Sequence, residues 1–357
     1  MGMITLFHTR IILNKQRPTV KSWLITSLLV VGGVMCVLCS CSKESIEKEK
    51  IYDQTATPYF INNPLPQDTD QLRVLAIGNS YTEDATAYIQ ELMDGAGIPR
   101  DKYCIYMLYS SGSSLEVWAQ KLNSSNVENM LLRAGSLSMP YTTATFSQLL
   151  SLDWDVIVLQ QVSYLAITYE SLNPHLHQLI DGIRRLCPNR SVTLAWNMIH
   201  TYSDSFSGNA GLMGMDRWRA ICNATWKMRR LDGIDLIIPT GTAIQNARFT
   251  SLNNAAGLTR DHTHLCFGVG RQIAALTWIG SLISPVFSKN LREFTTIHSL
   301  FPWEITGEGV TNFIAGSTVE VTEENNPICI GCAYYATCSP FRCVQVDNEG
   351  YFVYVYP

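Results

Sequence analysis

Charge is scarce in this chain of 357 residues, where Asp, Glu, Lys and Arg together make up only 16%. The formal net charge is -4, and the body holds no strongly basic stretch. Neutralising a nucleic-acid backbone takes clustered Lys and Arg, so the composition argues against nucleic acid as a partner. An internal repeat is missing, and so is any low-complexity segment. A second CxxC or a His pair beside Cys329-x-x-Cys332 is missing as well, so metal binding there is not expected. What the chain does have is apolar residues, 46% of the total, enough for a sizeable buried core in one large domain or two ordinary ones.

The apolar run at the start is too short to span a bilayer. Trp23 to Leu38 gives 16 uncharged residues, behind Arg10, Lys15, Arg17 and Lys21, where a spanning helix needs about 20. This is the layout of an export leader. It ends in Leu38-Cys39-Ser40-Cys41, which resembles the lipobox of bacterial lipoproteins and makes Cys41 the lipidated residue. Residues 1–41 are then a lipoprotein signal peptide and 42–70 a polar, proline-containing tether, with the folded domain over 71–350. The expected location is the cell envelope, with the lipid as the membrane contact. Eight of the eleven cysteines lie beyond the leader. Export permits disulfides, but Cys187, Cys222 and Cys266 stand in apolar surroundings and read as small buried hydrophobes.

From Leu72 onward, short apolar runs alternate with helical patterns. Strands are predicted at 73–77, 103–109, 155–159, 191–196 and 235–238. Helices are predicted at 84–95, through Trp118, and at 175–186, 216–231 and 268–282, with a last one ending near Cys338. Continuous apolar strands between helices imply a sheet covered on both faces. The expected fold is a flavodoxin-like three-layer α/β/α sandwich with a parallel sheet of about five strands. In such folds chemistry sits outside the carboxyl ends of the strands.

Two segments there carry reactive groups. Gly78-Asn79-Ser80 closes the first strand, and a serine on a sharp strand-to-helix turn exposes its hydroxyl. Far downstream, Asp261-His262-Thr263-His264 places a carboxylate three residues before an imidazole. An Asp at that spacing can hold the imidazole Nδ1–H and leave Nε2 free to take a proton from serine. His262, His264 and Asp261, with Cys266 close by, also form a possible metal set. Trp118, Trp196, His200 and Trp218 stand near the strand ends, either as stacking surfaces for sugar or as core.

Together these blocks resemble the SGNH (GDSL-type) hydrolase superfamily. The resemblance implies Ser80 as nucleophile, His264 as base and Asp261 as its orienting acid, with no cofactor. It implies Gly112, in Ser110-Ser111-Gly112-Ser113, as an oxyanion-hole residue. The Gly-x-Asn-Asp block of that superfamily is absent, and Leu159-Gln160-Gln161-Val162 stands where it belongs. A glutamine amide donates as an asparagine amide does, so Gln161, or Gln160, takes the role. Carbohydrate esterases similar to sialate O-acetylesterase carry a glutamine there too, which implies acetyl esters of glycans as substrate. Residues 239–245 and 321–325 also look like an SGNH branch described as a domain of unknown function. The alternatives are a lipase- or thioesterase-type acyl hydrolase, or a catalytically silent glycan-binding lipoprotein of the same fold.

Overall fold

The computed structural model describes residues 65–66, 69–209 and 211–356. The signal peptide, Cys41 and nearly all of the tether lie outside the described residues. None of the described helices is long and apolar enough to cross a membrane.

Seven strands make one sheet: β1 Leu72–Gly78, β2 Tyr103–Tyr109, β3 Val127–Gly135, β4 Thr143–Thr145, β5 Val156–Leu159, β6 Thr193–Asn197 and β7 Leu236–Ile238. Their order is β4-β3-β2-β1-β5-β6-β7. The five strands from β2 to β7 that the apolar runs predict pair in parallel. β3 and β4 extend that sheet antiparallel at one edge. They escape a reading of apolar runs because β3 carries Glu128, Asn129 and Arg133 and lies half in solvent.

Side chains alternate across each strand, so the two faces separate cleanly. Val74, Ala76, Ile105, Met107, Val158 and Ala195 enter one apolar cluster, and Leu75, Ile77, Tyr106, Leu108, Ile157 and Trp196 enter the other. The helices are α1 Ser80–Thr86, α2 Ile89–Gly95, α3 Leu115–Lys121, α4 Phe146–Leu150, α5 His175–Leu186, α6 Gly214–Leu231, α7 Thr240–Ala247, α8 Val269–Trp278 and α9 Asn326–Cys338. Helices α2, α7, α8 and α9 cover the first face, and α3 to α6 cover the second. The architecture is a three-layer α/β/α sandwich, as the alternation of elements predicts.

Three details depart from the expectation. The helix expected over 84–95 starts earlier, at Ser80, and breaks at Tyr88, whose ring stacks on His298 at 4.0 Å. Every residue of α7 is buried, so no polar face marks it as a helix in the sequence. At the far end, β8 Val344–Val346 and β9 Phe352–Val355 form a hairpin that carries structure past residue 350.

Candidate active site

Gly78 ends β1 because only a missing side chain fits: a Cβ there would stand 2.1 Å from Thr82 Oγ1. The next residue, Asn79, caps α1, its Oδ1 accepting from Tyr81 N at 3.1 Å. With the cap taken by Asn79, Ser80 opens the helix with its hydroxyl uncommitted to backbone. That hydroxyl lies 2.7 Å from His264 Nε2. His264 Nδ1 in turn lies 2.6 Å from Asp261 Oδ2.

The loop carrying the last two residues is held by its own backbone. Asp261 Oδ1 accepts from Thr263 N at 3.0 Å and His264 N at 2.8 Å. His262 adopts a left-handed φ of 73°, which makes this tight turn at a steric cost that a non-glycine residue bears only where the surroundings hold it. Its ring Nδ1 is tied to Ser203 Oγ at 2.9 Å, and its carbonyl accepts from Ser203 N at 2.9 Å. His262 therefore points away from the Asp261–His264 pair, and among the described residues no His, Cys, Asp and Glu set is arranged for a metal ion. Burial pushes the Asp261 carboxyl up, but the hydrogen bond and charge of His264 outweigh it and hold the carboxyl below its usual range.

Two groups that the sequence does not single out hold this loop against α1. Asp84, fully buried on α1, accepts from Arg260 Nη1 at 2.8 Å, Arg271 Nη2 at 2.9 Å and Leu265 N at 3.0 Å. Arg260 and Leu265 flank the Asp261–His264 turn, so one carboxylate sets the distance between nucleophile and base. Burial works against its charge, but the two guanidinium groups win and lower its pKa to about 2. The other is His200, whose Nε2 lies 2.8 Å from the Thr263 carbonyl and whose ring stacks on Tyr81 at 4.5 Å. Burial lowers its pKa to about 3, so it is a neutral N–H donor to that carbonyl. Asp84 stands four residues after Ser80 in a helix of ordinary polarity, and nothing local marks it as buried.

The glutamines do not stand as expected. Gln161 is correctly placed at the end of β5, but its Nε2 donates to the Ser171 carbonyl at 2.9 Å. Its Oε1 accepts from Leu115 N at 3.1 Å and Val162 N at 2.9 Å, so its amide braces the start of α3. Gln160 faces the opposite way, as alternation along a strand requires. Its Nε2 donates to Asn79 Oδ1 at 2.7 Å, and its Oε1 accepts from Thr82 Oγ1 at 2.7 Å and Asn197 Nδ2 at 2.9 Å. Each amide thus donates one of its two N–H groups within the protein, which weighs against Gln161 as the oxyanion donor expected from the sequence.

Gly112 is exposed, with a φ of 60°. Its loop is pinned to the serine turn by Ser110 N to the Gly78 carbonyl at 3.2 Å and by Asn79 Nδ2 to the Ser113 carbonyl at 3.1 Å. Among the described residues, no hydrogen bond engages the backbone N–H of Ser80 or of Gly112. Trp118, Trp196 and Trp218 are buried in the second-face core and are not stacking surfaces. Cys329 and Cys332 are likewise buried within α9. A surface cavity of about 610 Å³ opens beside Arg73 and Asp153, at the amino ends of the strands and away from Ser80.

A search of curated proteins finds no match. Among solved structures, the chain is similar to a DUF4886 family protein from Bacteroides uniformis ATCC 8492, at 26% identity and a TM-score of 0.59. That similarity covers 77% of this chain and 98% of the other. A salicylyl-acyltransferase, SsfX3, from a tetracycline biosynthetic pathway overlaps at 12% identity and a TM-score of 0.32, over 59% of this chain and 54% of its own. An overlap that loose supports no argument about chemistry. The family model for the domain of unknown function DUF4886 matches residues 73–299, which contain Ser80, Gly112, Asp261 and His264, and the chain belongs to that family.

Proposed function

We propose that this protein is a serine esterase of the SGNH kind, anchored by lipid at Cys41 in the cell envelope and removing acetyl groups from glycans. The observation that carries the reading is the continuous line from Ser80 Oγ to His264 Nε2 at 2.7 Å and from His264 Nδ1 to Asp261 Oδ2 at 2.6 Å. In this mechanism His264 takes the Ser80 proton as the oxygen attacks the ester carbonyl, and then hands it to the departing alkoxide. Asp261, kept ionised, fixes the imidazole tautomer and stabilises the imidazolium. Water repeats the sequence on the acyl-enzyme, with His264 again as base. The developing oxyanion is held by the backbone N–H groups of Ser80 and Gly112, since among the described residues no hydrogen bond engages either group. Hydrolysis of p-nitrophenyl acetate tests the chemistry, and a preference for acetyl over longer acyl chains separates a deacetylase from a lipase. Wild-type turnover that survives in Ser80→Ala would remove the reading.

A further inference from the structure

Two guanidinium groups share one buried carboxylate beside the catalytic loop, so one positive charge there needs a second anion. Arg260 and Arg271 both donate to Asp84, Arg271 through Nε at 3.0 Å and Nη2 at 2.9 Å. The remaining nitrogen of Arg271, Nη1, lies 3.6 Å from Oε1 of Glu304. Glu304 stands in the helical turn Pro302–Thr306 and is 1% exposed. A carboxylate out of water is costly unless it is paired and hydrogen-bonded, and here both oxygens are used. Oε1 also accepts from the Tyr88 hydroxyl at 3.3 Å. Oε2 accepts from Phe301 N and faces His298 Nε2, each at 3.0 Å. The other ring nitrogen of His298 lies 2.8 Å from Glu91, whose side chain is half in solvent. An unbroken line of polar contacts thus runs from the surface at Glu91 through His298, Glu304 and Arg271 to Asp84.

That line ends on the group that holds the catalytic loop, since Asp84 accepts from Arg260 Nη1 and Leu265 N on either side of Asp261 and His264. The segment bearing Glu304 grips the same loop by its backbone. Ile314 N donates to the Arg260 carbonyl at 2.7 Å, and Val269 N donates to the Val319 carbonyl at 2.8 Å. The Thr318 hydroxyl donates to the Glu304 carbonyl at 2.6 Å, which closes the segment on itself. Residues 301–319 therefore form a strap tied to the loop before Asp261 and after His264. Glu304 is the point where the charge of the strap meets the loop. It lies past residue 299, where the match to the family model ends.

We propose that Glu304 is a positioning residue for the Ser80 site: by balancing Arg271 it keeps Asp84 locked on Arg260 and Leu265, and so keeps His264 within reach of Ser80. Its side chain touches none of the three catalytic groups. With its charge removed, Asp84 is left with two cations that no second anion offsets, and the guanidinium of Arg271 gains by turning toward water. The loop then loses its fixed distance from α1. A shift of about 1 Å between base and nucleophile costs on the order of 10²-fold in rate, while contacts that bind the ester are left in place.

Glu304→Gln keeps the shape of the side chain and removes its charge, and two readings on the full chain give the test. The kinetic reading rests on the esterase reading above; the exchange reading does not. On p-nitrophenyl acetate, kcat should fall by about 10- to 100-fold with KM within about two-fold of wild type. By hydrogen exchange, the Leu265 amide, which donates to Asp84, should lose about 10-fold more protection than the amides of β1. A residue that only stabilises the fold would lower protection evenly and leave the kcat of the folded protein unchanged. An unchanged kcat, a loss read in KM alone, or a Leu265 amide that exchanges no faster relative to β1 overturns the proposal. Where wild type cleaves no ester, the esterase reading fails and the exchange reading alone decides whether Glu304 holds the loop. If Glu304→Gln does not fold, Glu304→Asp, which keeps the charge but stops short of Arg271, is read in the same two ways and against the same outcomes.

Discussion

Ser80, Asp261 and His264 act as a unit, so the loss on removing one approaches the loss on removing all. Ser80→Ala and His264→Ala should each lower kcat by roughly 10⁴-fold or more in an ester assay, with little change in the melting temperature. Asp261→Asn should cost a similar or smaller factor, because it disturbs the tautomer of His264 and leaves the nucleophile in place. Asp84 makes the opposite prediction, since it touches no substrate. Removing its charge leaves Arg260 without a carboxylate and Arg271 with Glu304 alone, and Asp84→Asn should destabilise by about 3–5 kcal/mol in urea titration. The sign of its pH dependence follows from the lowered pKa. Folded Asp84 titrates at about 2, and an unfolded aspartate near 3.9. The stabilisation is therefore complete above about pH 4 and is lost as the pH falls toward 2, a change of about 2 kcal/mol. Urea titrations at pH 5 and pH 2.5 should show that loss in wild type and less of it in Asp84→Asn.

At the scale of elements, the carboxyl ends of the strands are joined by side-chain amides. Thr240 Oγ1 at the start of α7 donates to Asn197 Oδ1 at 2.7 Å, Asn197 reaches Gln160, and Gln160 holds the Asn79 cap of α1. Gln160→Ala leaves three buried polar groups short of a partner and loosens the turn that presents Ser80. We expect a stability loss of about 2–4 kcal/mol together with a fall in kcat. Gln161→Ala instead frees the start of α3 and the Ser171 carbonyl. It should lower stability by about 1–3 kcal/mol while kcat stays within a few-fold of wild type. A loss near 10²-fold in kcat for Gln161→Ala at unchanged melting temperature would restore that residue to the oxyanion hole.

For the whole molecule, the leader and the domain make separate statements. Cys41→Ala should release the protein from membranes or leave its leader attached, and palmitate labelling that persists in this variant would dismiss the anchor. Apolar runs between helical patterns were enough to call the sandwich, its five parallel strands and most helix positions, because both faces of those strands are buried and the pattern is local. The Asp-x-x-His spacing and the serine turn were legible for the same reason, each being a contact within a few residues. The half-solvated strand β3 and the wholly buried helix α7 were not legible, since neither shows the one-sided pattern that marks an element. Nor could the roles of Asp84, His200 and the two glutamines be read, because each depends on partners from other segments of the chain. Asp84 meets Arg260 across 176 positions, and Gln160 meets Asn79 across 81. Spacing along the chain determines which groups can react; only the packing of distant segments decides which amide is engaged and which charge is paired.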